Sequence, residues 1–313
     1  MQSSYAAFID EFYENVPHMG SESRKNIRSE FDTVSAFLKA TRKELQEVHL
    51  VSEAQAERTV ALRALLADGA GLEEKLLRIL ILNFLKRQRE NLTDRETIAD
   101  LNINPYLVGL LDFDSPEALV KFYTYQSIGR GLVTAMGDEF ETWATVLGLE
   151  ETDQTGFDCE VRRDGTRHFV QVKSGPDVLN KDMLENLASN FERAAEAHPG
   201  CECLLGLCYG NQSEISGKIR RYLPGEGFEN VRIGSDFWEF VTGDPDTHER
   251  LVRIIDETTQ SFDEYLAVVD PEAATADHDT FHELLAARTE RLLAEWHDSY
   301  GEGAESIDAM LGE

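Results

Sequence analysis

Asp158, Gln171 and Lys173 lie close together in the sequence and have side chains that suit chemistry on a phosphate ester. Carboxylate and amide oxygens are ligands that Mg²⁺ accepts, and one or two such groups suffice because the cation keeps several waters. A bound Mg²⁺ polarises a phosphate and acidifies a water. A lysine beside it can orient that water and stabilise the charged transition state. The three residue types together therefore indicate metal-assisted hydrolysis of a phosphodiester.

A β-hairpin is predicted to hold these side chains together. Asp164-Gly165 is a strong two-residue turn, because both central positions of a type I′ turn require positive φ. The run from Phe169 to Lys173 alternates apolar and polar residues, and side chains two apart share one face of a sheet. Gln171 and Lys173 therefore point the same way, while the intervening valines point into a core. Asp158 starts the partner strand and can reach the same edge.

A second carboxylate is expected near this hairpin, because the Gln171 amide oxygen brings no charge. The segment from Gly129 to Leu147 is predicted to form a helix before the hairpin, and it contains Glu139 and Glu141. Residues two apart do not share a helical face, so only one of these acids can point toward the site. Both could equally be solvated surface acids.

The pattern of these residues resembles the PD-(D/E)XK nuclease superfamily. The resemblance rests on Asp158, on Gln171-Val172-Lys173 and on a glutamate in the preceding helix. Gln171 stands where the superfamily usually has an acid, and in this the chain is similar to the Mrr-like branch of the superfamily. The resemblance implies that Asp158 and Gln171 ligate the metal. It also implies that Lys173 is the catalytic lysine. It favours Glu141 over Glu139, because Glu141 fits the family's Gly-x-x-Phe-Glu helix pattern, and it adds Glu141 to the catalytic and metal-binding set.

Several longer segments resemble the PmeII-type family of type II restriction endonucleases. The matching segments are Gln171 to Pro176, Asn180 to Met183, Asn104 to Val108, and Phe237 to Asp244. This resemblance implies a restriction-endonuclease-like α/β core, with a central mixed sheet flanked by helices. It also implies a sequence-specific endonuclease that cuts double-stranded DNA with Mg²⁺, or with Mn²⁺, as a homodimer that matches the two-fold symmetry of its substrate.

Three alternatives stay open at this point. The first is an Mrr-like or repair-type nuclease on the same core. The second is a catalytically inactive DNA-binding protein, which the uncharged Gln171 motivates. The third is an acidic oligomeric scaffold unrelated to DNA, which the composition motivates.

The net negative charge of the chain disfavours DNA binding. Its 59 acidic and 30 basic residues give a formal net charge of -29, and only nine of the basic residues are lysines. Excess acid with few lysines is typical of proteins from a halophilic cytoplasm. At about 1 M salt the Debye length is about 3 Å, so distant repulsion between protein and DNA is screened. Contacts with DNA are then expected from polar residues near the hairpin: Arg162, Arg163, Asn180 and Lys181.

Apolar spacing divides the chain into three regions. Residues 1–125 are predicted to be helical and to serve dimerisation or DNA clamping, residues 126–250 to form the nuclease core, and residues 251–313 to form a helical extension. Ser115-Pro116 is a typical helix start. The sequence shows neither a transmembrane run nor a signal peptide, which predicts a cytoplasmic protein. The four cysteines lack Cys-x-x-Cys spacing, which favours reduced core residues over a zinc site.

Overall fold

A five-stranded mixed sheet carries the predicted hairpin. The computed structural model describes residues 2–94, 96–223, 229–275 and 280–312. In these ranges the strands run in the order β1-β2-β3-β4-β5, with β1 to β3 antiparallel and β3 to β5 parallel. Their bounds are Glu150–Glu151 (β1), Cys159–Arg163 (β2), Thr166–Lys173 (β3), Glu202–Leu207 (β4) and Val231–Ile233 (β5). Turns connect antiparallel neighbours, whereas parallel neighbours need a crossover, here through helices.

Helices make up most of the remaining described chain. In the first half they are α1 Gln2–Phe12, α2 Ser21–Glu30, α3 Val34–Lys39, α4 Arg42–Glu47, α5 Glu53–Ala64, α6 Leu72–Thr93, the 3₁₀ helix η1 Ile98–Leu101, α7 Pro105–Leu111 and α8 Pro116–Leu147. In the second half they are α9 Lys181–Ala197, η2 Gln212–Glu214, α10 Gly217–Tyr222, α11 Ser235–Thr242, α12 Thr247–Gln260, α13 Phe262–Val269, α14 Pro271–Thr275, α15 Phe281–Tyr300 and α16 Glu305–Leu311. The predicted α/β class, a mixed sheet flanked by helices, is confirmed.

The chain divides into two compact units. One consists of Met1–Leu65, Leu82–Thr134 and Ser261–Glu313 and is helical where described; the other consists of Leu66–Ile81 and Ala135–Gln260 and contains the sheet. We call the second one the sheet unit. None of the helices in the described ranges combines the length and hydropathy of a transmembrane span.

The hairpin forms where the sequence predicts it. Asp164 and Gly165 have φ values of 49° and 83°, so both central turn residues adopt the left-handed conformation that a type I′ turn requires. Arg163 then pairs with Thr166, which sets the register of the whole β2–β3 ladder. The two valines of β3 are fully buried, as the alternation predicts.

Helix α9 covers one face of the sheet. Its apolar residues recur at helical spacing and are buried in one core with the alternating residues of β3 and β4. This core includes Leu184, Leu187, Phe191, Ala194, Phe169, Leu205 and Leu207. Asn180 ends the preceding loop and caps the helix by accepting a hydrogen bond of 2.9 Å from the Met183 N–H. The cap explains why the helix begins at Lys181.

The helix before the hairpin is longer than the segment predicted from Gly129. Ser115 caps the first turn of α8, with its Oγ accepting from the Ala118 N–H at 3.3 Å, and the helix then runs without a break to Leu147. Glycines lower helix propensity by about 1 kcal/mol each, yet Gly129, Gly131 and Gly137 all lie inside α8. The sequence-based boundary at Gly129 was therefore wrong, whereas the helix start at Ser115-Pro116 is confirmed.

The four cysteines are free thiols. Three of them, Cys159, Cys203 and Cys208, are buried, and Cys201 is half-buried. Burial raises the pKa of Cys208 well above its usual value, so this thiol stays protonated. The cysteines thus behave as small core residues.

Candidate active site

Asp158 lies at the entrance to β2, where the ladder with β3 positions it. Its N–H donates to the Val170 carbonyl at 3.0 Å, which extends the hairpin pairing by one residue. Its Oδ2 accepts hydrogen bonds from the Val172 N–H at 2.7 Å and from the Gln171 amide. The Asp158 carboxylate is thereby held against the C-terminal end of β3 by backbone and side-chain donors together.

Lys173 is the last residue of β3 and lies on the same face as Gln171. Its Nζ is 3.3 Å from Asp158 Oδ2 and 3.4 Å from Glu141 Oε1, and it also donates to the Val172 carbonyl. An ammonium group has three donors, and here two carboxylates and a backbone carbonyl receive them. The hairpin therefore brings Asp158, Gln171 and Lys173 together, as the alternation predicts.

Glu141 reaches this cluster from α8. Packing sets the rotation of the helix, because Trp143 and Ala144 are buried. Glu139, two residues before Glu141, is 7% exposed on a different side of the helix. Glu141 pairs with Lys173, at 3.4 Å. Burial, reinforced by the negative charge of Asp158, raises the pKa of the Glu141 carboxyl, and the nearby Lys173 only partly offsets this.

The charges and donor atoms of this cluster fit a divalent cation. Two carboxylates and one ammonium leave it one net negative charge, which a cation and a phosphodiester together would balance. The ligating atoms that Asp158, Glu141 and Gln171 offer are all oxygens, the ligand type of Mg²⁺. Among the described residues no group of three or more His, Cys, Asp or Glu side chains could hold a metal. A cation here would therefore depend on two carboxylates plus the amide.

The predicted DNA-binding residues occupy two places in the sheet unit. Asn180 and Lys181 begin α9, where the Asn180 side chain acts as the helix cap and the exposed Lys181 pairs with Glu185 at 3.4 Å. Arg162 is exposed on β2. Arg163 is different, since its guanidinium donates to the Val241 carbonyl and so ties β2 to the end of α11. Arg163 thus has a structural contact that its sequence neighbourhood did not reveal.

Two features of the site were not predicted from the sequence. One is the Val172 N–H, which donates to Asp158, and backbone donors leave no mark on residue types. The other is Tyr209, which follows β4 and packs its ring against Gly175. The contact of Tyr209 with Gly175 has no local sequence signal, because it depends on the pairing of β3 with β4.

Comparison with known proteins identifies the family. The family model described as type II restriction endonuclease EcoO109I matches residues 73–263, which is more than half of the chain and includes all four residues of the cluster. A comparison with curated proteins finds no match. Type II restriction endonucleases are endodeoxyribonucleases that generally use a divalent metal and usually form dimers. The match confirms the predicted superfamily, while the narrower PmeII-type resemblance stays a prediction. The chain belongs to the EcoO109I family of type II restriction endonucleases, within the PD-(D/E)XK superfamily.

Proposed function

We propose that this protein is a Mg²⁺-dependent endonuclease that recognises a specific sequence and hydrolyses both strands of double-stranded DNA. The observation that carries the proposal is the cluster at the end of the hairpin. There the ammonium of Lys173 lies between the carboxylates of Asp158 and Glu141, 3.3 Å and 3.4 Å away, and Gln171 completes the group.

Asp158, Glu141 and Gln171 are the residues that would hold the cation. When bound, Mg²⁺ supplies charge neutralisation at the phosphate and acidifies a water. The chain fixes the first ligand rigidly, because Asp158 is held by the Val172 N–H at 2.7 Å. Gln171 donates to Asp158 through its amide nitrogen, and its amide oxygen is the atom that can serve as a ligand.

Lys173 acts on the water and on the phosphate. Its contacts with the two carboxylates exceed 3.2 Å, longer than the optimum for a charge-assisted hydrogen bond. Lys173 can therefore exchange these contacts for a contact with a phosphate that enters the site. The ammonium then orients the attacking water and stabilises the charge that develops on the phosphate oxygens.

Contacts with DNA are assigned to Arg162, Arg163, Asn180 and Lys181. Arg162 and Lys181 are exposed, so their charges can meet phosphates. Arg163 and Asn180 also fix the backbone around them, through hydrogen bonds with Val241 and Met183. Because the chain carries a net charge of -29, we expect DNA to bind in a salt-rich, halophilic cytoplasm, where distant repulsion is screened.

A homodimer is the assembly that matches the proposed reaction. Each chain contributes one Lys173 cluster. In a two-fold dimer on a symmetric site, one such cluster then lies at each DNA strand. We assign dimerisation or DNA clamping to the helical residues 1–125. Size-exclusion chromatography with light scattering in concentrated KCl tests this assembly. A mass of twice 35.3 kDa is expected, and a purely monomeric protein in the presence of DNA contradicts it.

The experiment that tests the function is cleavage of plasmid DNA. The protein is purified in concentrated KCl and incubated with unmodified plasmid and Mg²⁺, and the fragment ends are sequenced. Discrete fragments with one shared end sequence are expected from the wild type and from Lys218→Ala. The latter is a matched control, because Lys218 is an exposed lysine of α10 outside the residues assigned to the cluster, to DNA contacts and to dimerisation. Lys173→Ala and Asp158→Asn should give no fragments.

Two other outcomes would point to the alternative functions. Fragments from methylated plasmid alone would indicate an Mrr-like or repair-type nuclease. Retention of duplex DNA without any cut would indicate a binding protein on the same fold. The observation that favours the binding protein is Gln171, which offers Asp158 an N–H and brings no charge to the cluster.

A further inference from the structure

Tyr209 follows β4, at the end of the sheet that carries Lys173. The Cys208 N–H donates to the Lys173 carbonyl and the Tyr209 N–H to the Ser174 carbonyl, each at 3.0 Å. Two successive N–H groups thus bond to the β3 side, so the chain leaves the regular alternation of a strand after Leu207. These two bonds hold Tyr209 beside the residue that follows Lys173, at the end of the sheet where the reaction is proposed to occur.

The ring of Tyr209 packs directly on Gly175. A methyl group built on Gly175 would overlap the ring carbon Cζ of Tyr209 and come within 2.7 Å of its hydroxyl oxygen. The backbone of Gly175 does not adopt a positive φ, so contact with the ring is the reason for glycine here. Gly175 is buried, as are its neighbours Ser174 and Pro176. The ring orientation is thus built into the loop that follows Lys173.

The hydroxyl of Tyr209 has no partner among the residues that the structure describes. The residue as a whole is 48% exposed, although its ring packs on Gly175. A neutral hydroxyl can donate a hydrogen bond to a phosphate oxygen without bringing a positive charge. Its place near the proposed nuclease site therefore suits a contact with DNA.

We propose that Tyr209 is a DNA-contacting residue whose hydroxyl donates a hydrogen bond to a backbone phosphate beside the one that is cleaved. The proposal rests on the proposed nuclease function, since it takes DNA as the ligand. A phosphate oxygen can only accept, so the phenol donates. Phosphate contacts fix the position of a protein on the duplex, and this contact would hold the strand against the cluster.

Tyr209→Phe isolates the contribution of the hydroxyl, because the phenylalanine ring still packs on Gly175. We would measure the Kd for a fluorescently labelled duplex carrying the mapped cleavage site, with Mg²⁺, in a Lys173→Ala background so that the DNA stays intact. If the wild type makes no cuts, the labelled duplex has random sequence. Losing a hydrogen bond to a charged group should raise the Kd by on the order of tenfold. The slope of log Kd against log salt should not change, because a neutral side chain releases no counterions.

A double-mutant cycle tests the role of Gly175. Gly175→Ala should raise the Kd by displacing the ring, whereas the same change in a Tyr209→Ala background should have no additional effect. Thermal unfolding of all four proteins shows whether each is folded. In the cycle, Tyr209→Ala should also relieve any loss of melting temperature caused by Gly175→Ala, because the overlapping ring is then absent.

The outcomes separate this inference from the proposed function. An unchanged Kd for Tyr209→Phe overturns the phosphate contact even if the wild type cuts DNA. A raised Kd together with an altered salt slope also overturns it, because the effect is then electrostatic. A wild type that binds duplex DNA without cutting overturns the nuclease function, while a weaker Tyr209→Phe complex still supports the contact.

Discussion

Two clusters in the sheet unit have the same composition, one cation between two carboxylates, but different geometry. Arg78 of α6 contacts Glu74 at 2.9 Å and Glu257 of α12 at 2.6 Å, and its side chain is 7% exposed. Lys173 lies 3.3 Å and 3.4 Å from its two carboxylates, and its side chain is 22% exposed. The Arg78 cluster has shorter contacts and a more buried cation, and we call it the closed cluster. The Lys173 cluster has longer contacts and a more exposed cation, and we call it the open cluster.

The pKa values of one carboxylate in each cluster, Glu257 and Glu141, are shifted in opposite directions. Hydrogen bonding to Arg78 lowers the pKa of Glu257. Burial and the charge of Asp158 raise the pKa of Glu141, despite the nearby Lys173. The lysine thus leaves part of the negative charge uncompensated, and a divalent cation would compensate it. A raised carboxyl pKa beside a cation is typical of functional sites, whereas the lowered pKa of Glu257 fits a structural ion pair.

The largest expected effect is on catalysis. Lys173→Ala should lower the single-turnover cleavage rate by about 100- to 1000-fold, the usual cost of losing one donor to the transition state. Its unfolding free energy in EDTA should change by less than about 1 kcal/mol, because the pairing is partly exposed. Quench-flow kinetics and chemical denaturation measure the two quantities. A strongly destabilised but active variant would show that Lys173 is structural, like Arg78.

Divalent cations should stabilise the protein through the open cluster. At a Mg²⁺ concentration 100 times the Kd, binding adds about 2.7 kcal/mol to the free energy of unfolding. Asp158→Asn should abolish this gain, whereas Arg78→Met should keep it. Thermal unfolding with Mg²⁺ and with EDTA makes the comparison. Equal stabilisation of both variants would place the cation elsewhere.

Breaking the closed cluster should cost stability but not catalysis. Arg78→Met removes a buried cation from Glu74 and Glu257 and should destabilise the protein by about 2 kcal/mol, below the usual cost for a buried pair because Glu257 is half exposed. The folded variant should cleave DNA at the wild-type rate. Denaturant unfolding and single-turnover assays in parallel check both parts, and a variant that is stable but inactive would reverse the two assignments.

Replacing the Gln171 amide by a carboxylate should increase the negative charge of the open cluster relative to the closed cluster. Gln171→Glu supplies another carboxylate to the open cluster and should tighten Mg²⁺ binding by roughly tenfold, since affinity for hard cations follows ligand charge. Titration of the cleavage rate with Mg²⁺ measures the change. A half-saturating Mg²⁺ concentration that stays constant would indicate that Gln171 does not ligate the cation.

The smallest effect concerns pH. A carboxyl with a raised pKa contributes stability at low pH and loses this contribution as pH rises through its folded pKa, so in EDTA Glu141→Gln should gain stability relative to wild type as pH rises. A carboxyl with a lowered pKa contributes stability at pH values above its usual pKa and loses this contribution as pH falls through its folded pKa. Glu257→Gln should therefore be less stable near neutral pH, with the difference vanishing in acid. Melting temperatures from about pH 3 to about pH 8 test the opposite signs, and parallel curves would contradict them.

Local features of the site could be predicted from the sequence. The Asp164-Gly165 turn and the alternation of β3 involve neighbouring residues, so they fixed the hairpin and the shared face of Gln171 and Lys173. The choice between Glu141 and Glu139 could not be made from spacing, because the burial of Trp143 sets the rotation of α8.

Long-range features had no local signal. Glu257 is 179 residues from Arg78, so nothing in either segment predicts their contact. Strand β1 consists of two exposed glutamates and has neither the length nor the apolar alternation of a typical strand. The packing of Tyr209 on Gly175 likewise depends on the pairing of β3 with β4.

Crystallography with Mn²⁺ tests the central claim most directly. Crystals of the Lys173→Ala variant with a duplex that carries the cleavage site would be soaked in Mn²⁺, and anomalous scattering would locate the ion. The account predicts a peak coordinated by oxygens of Asp158 and Glu141, next to the scissile phosphate. An anomalous peak elsewhere on the protein, with the phosphate far from Asp158, would contradict it.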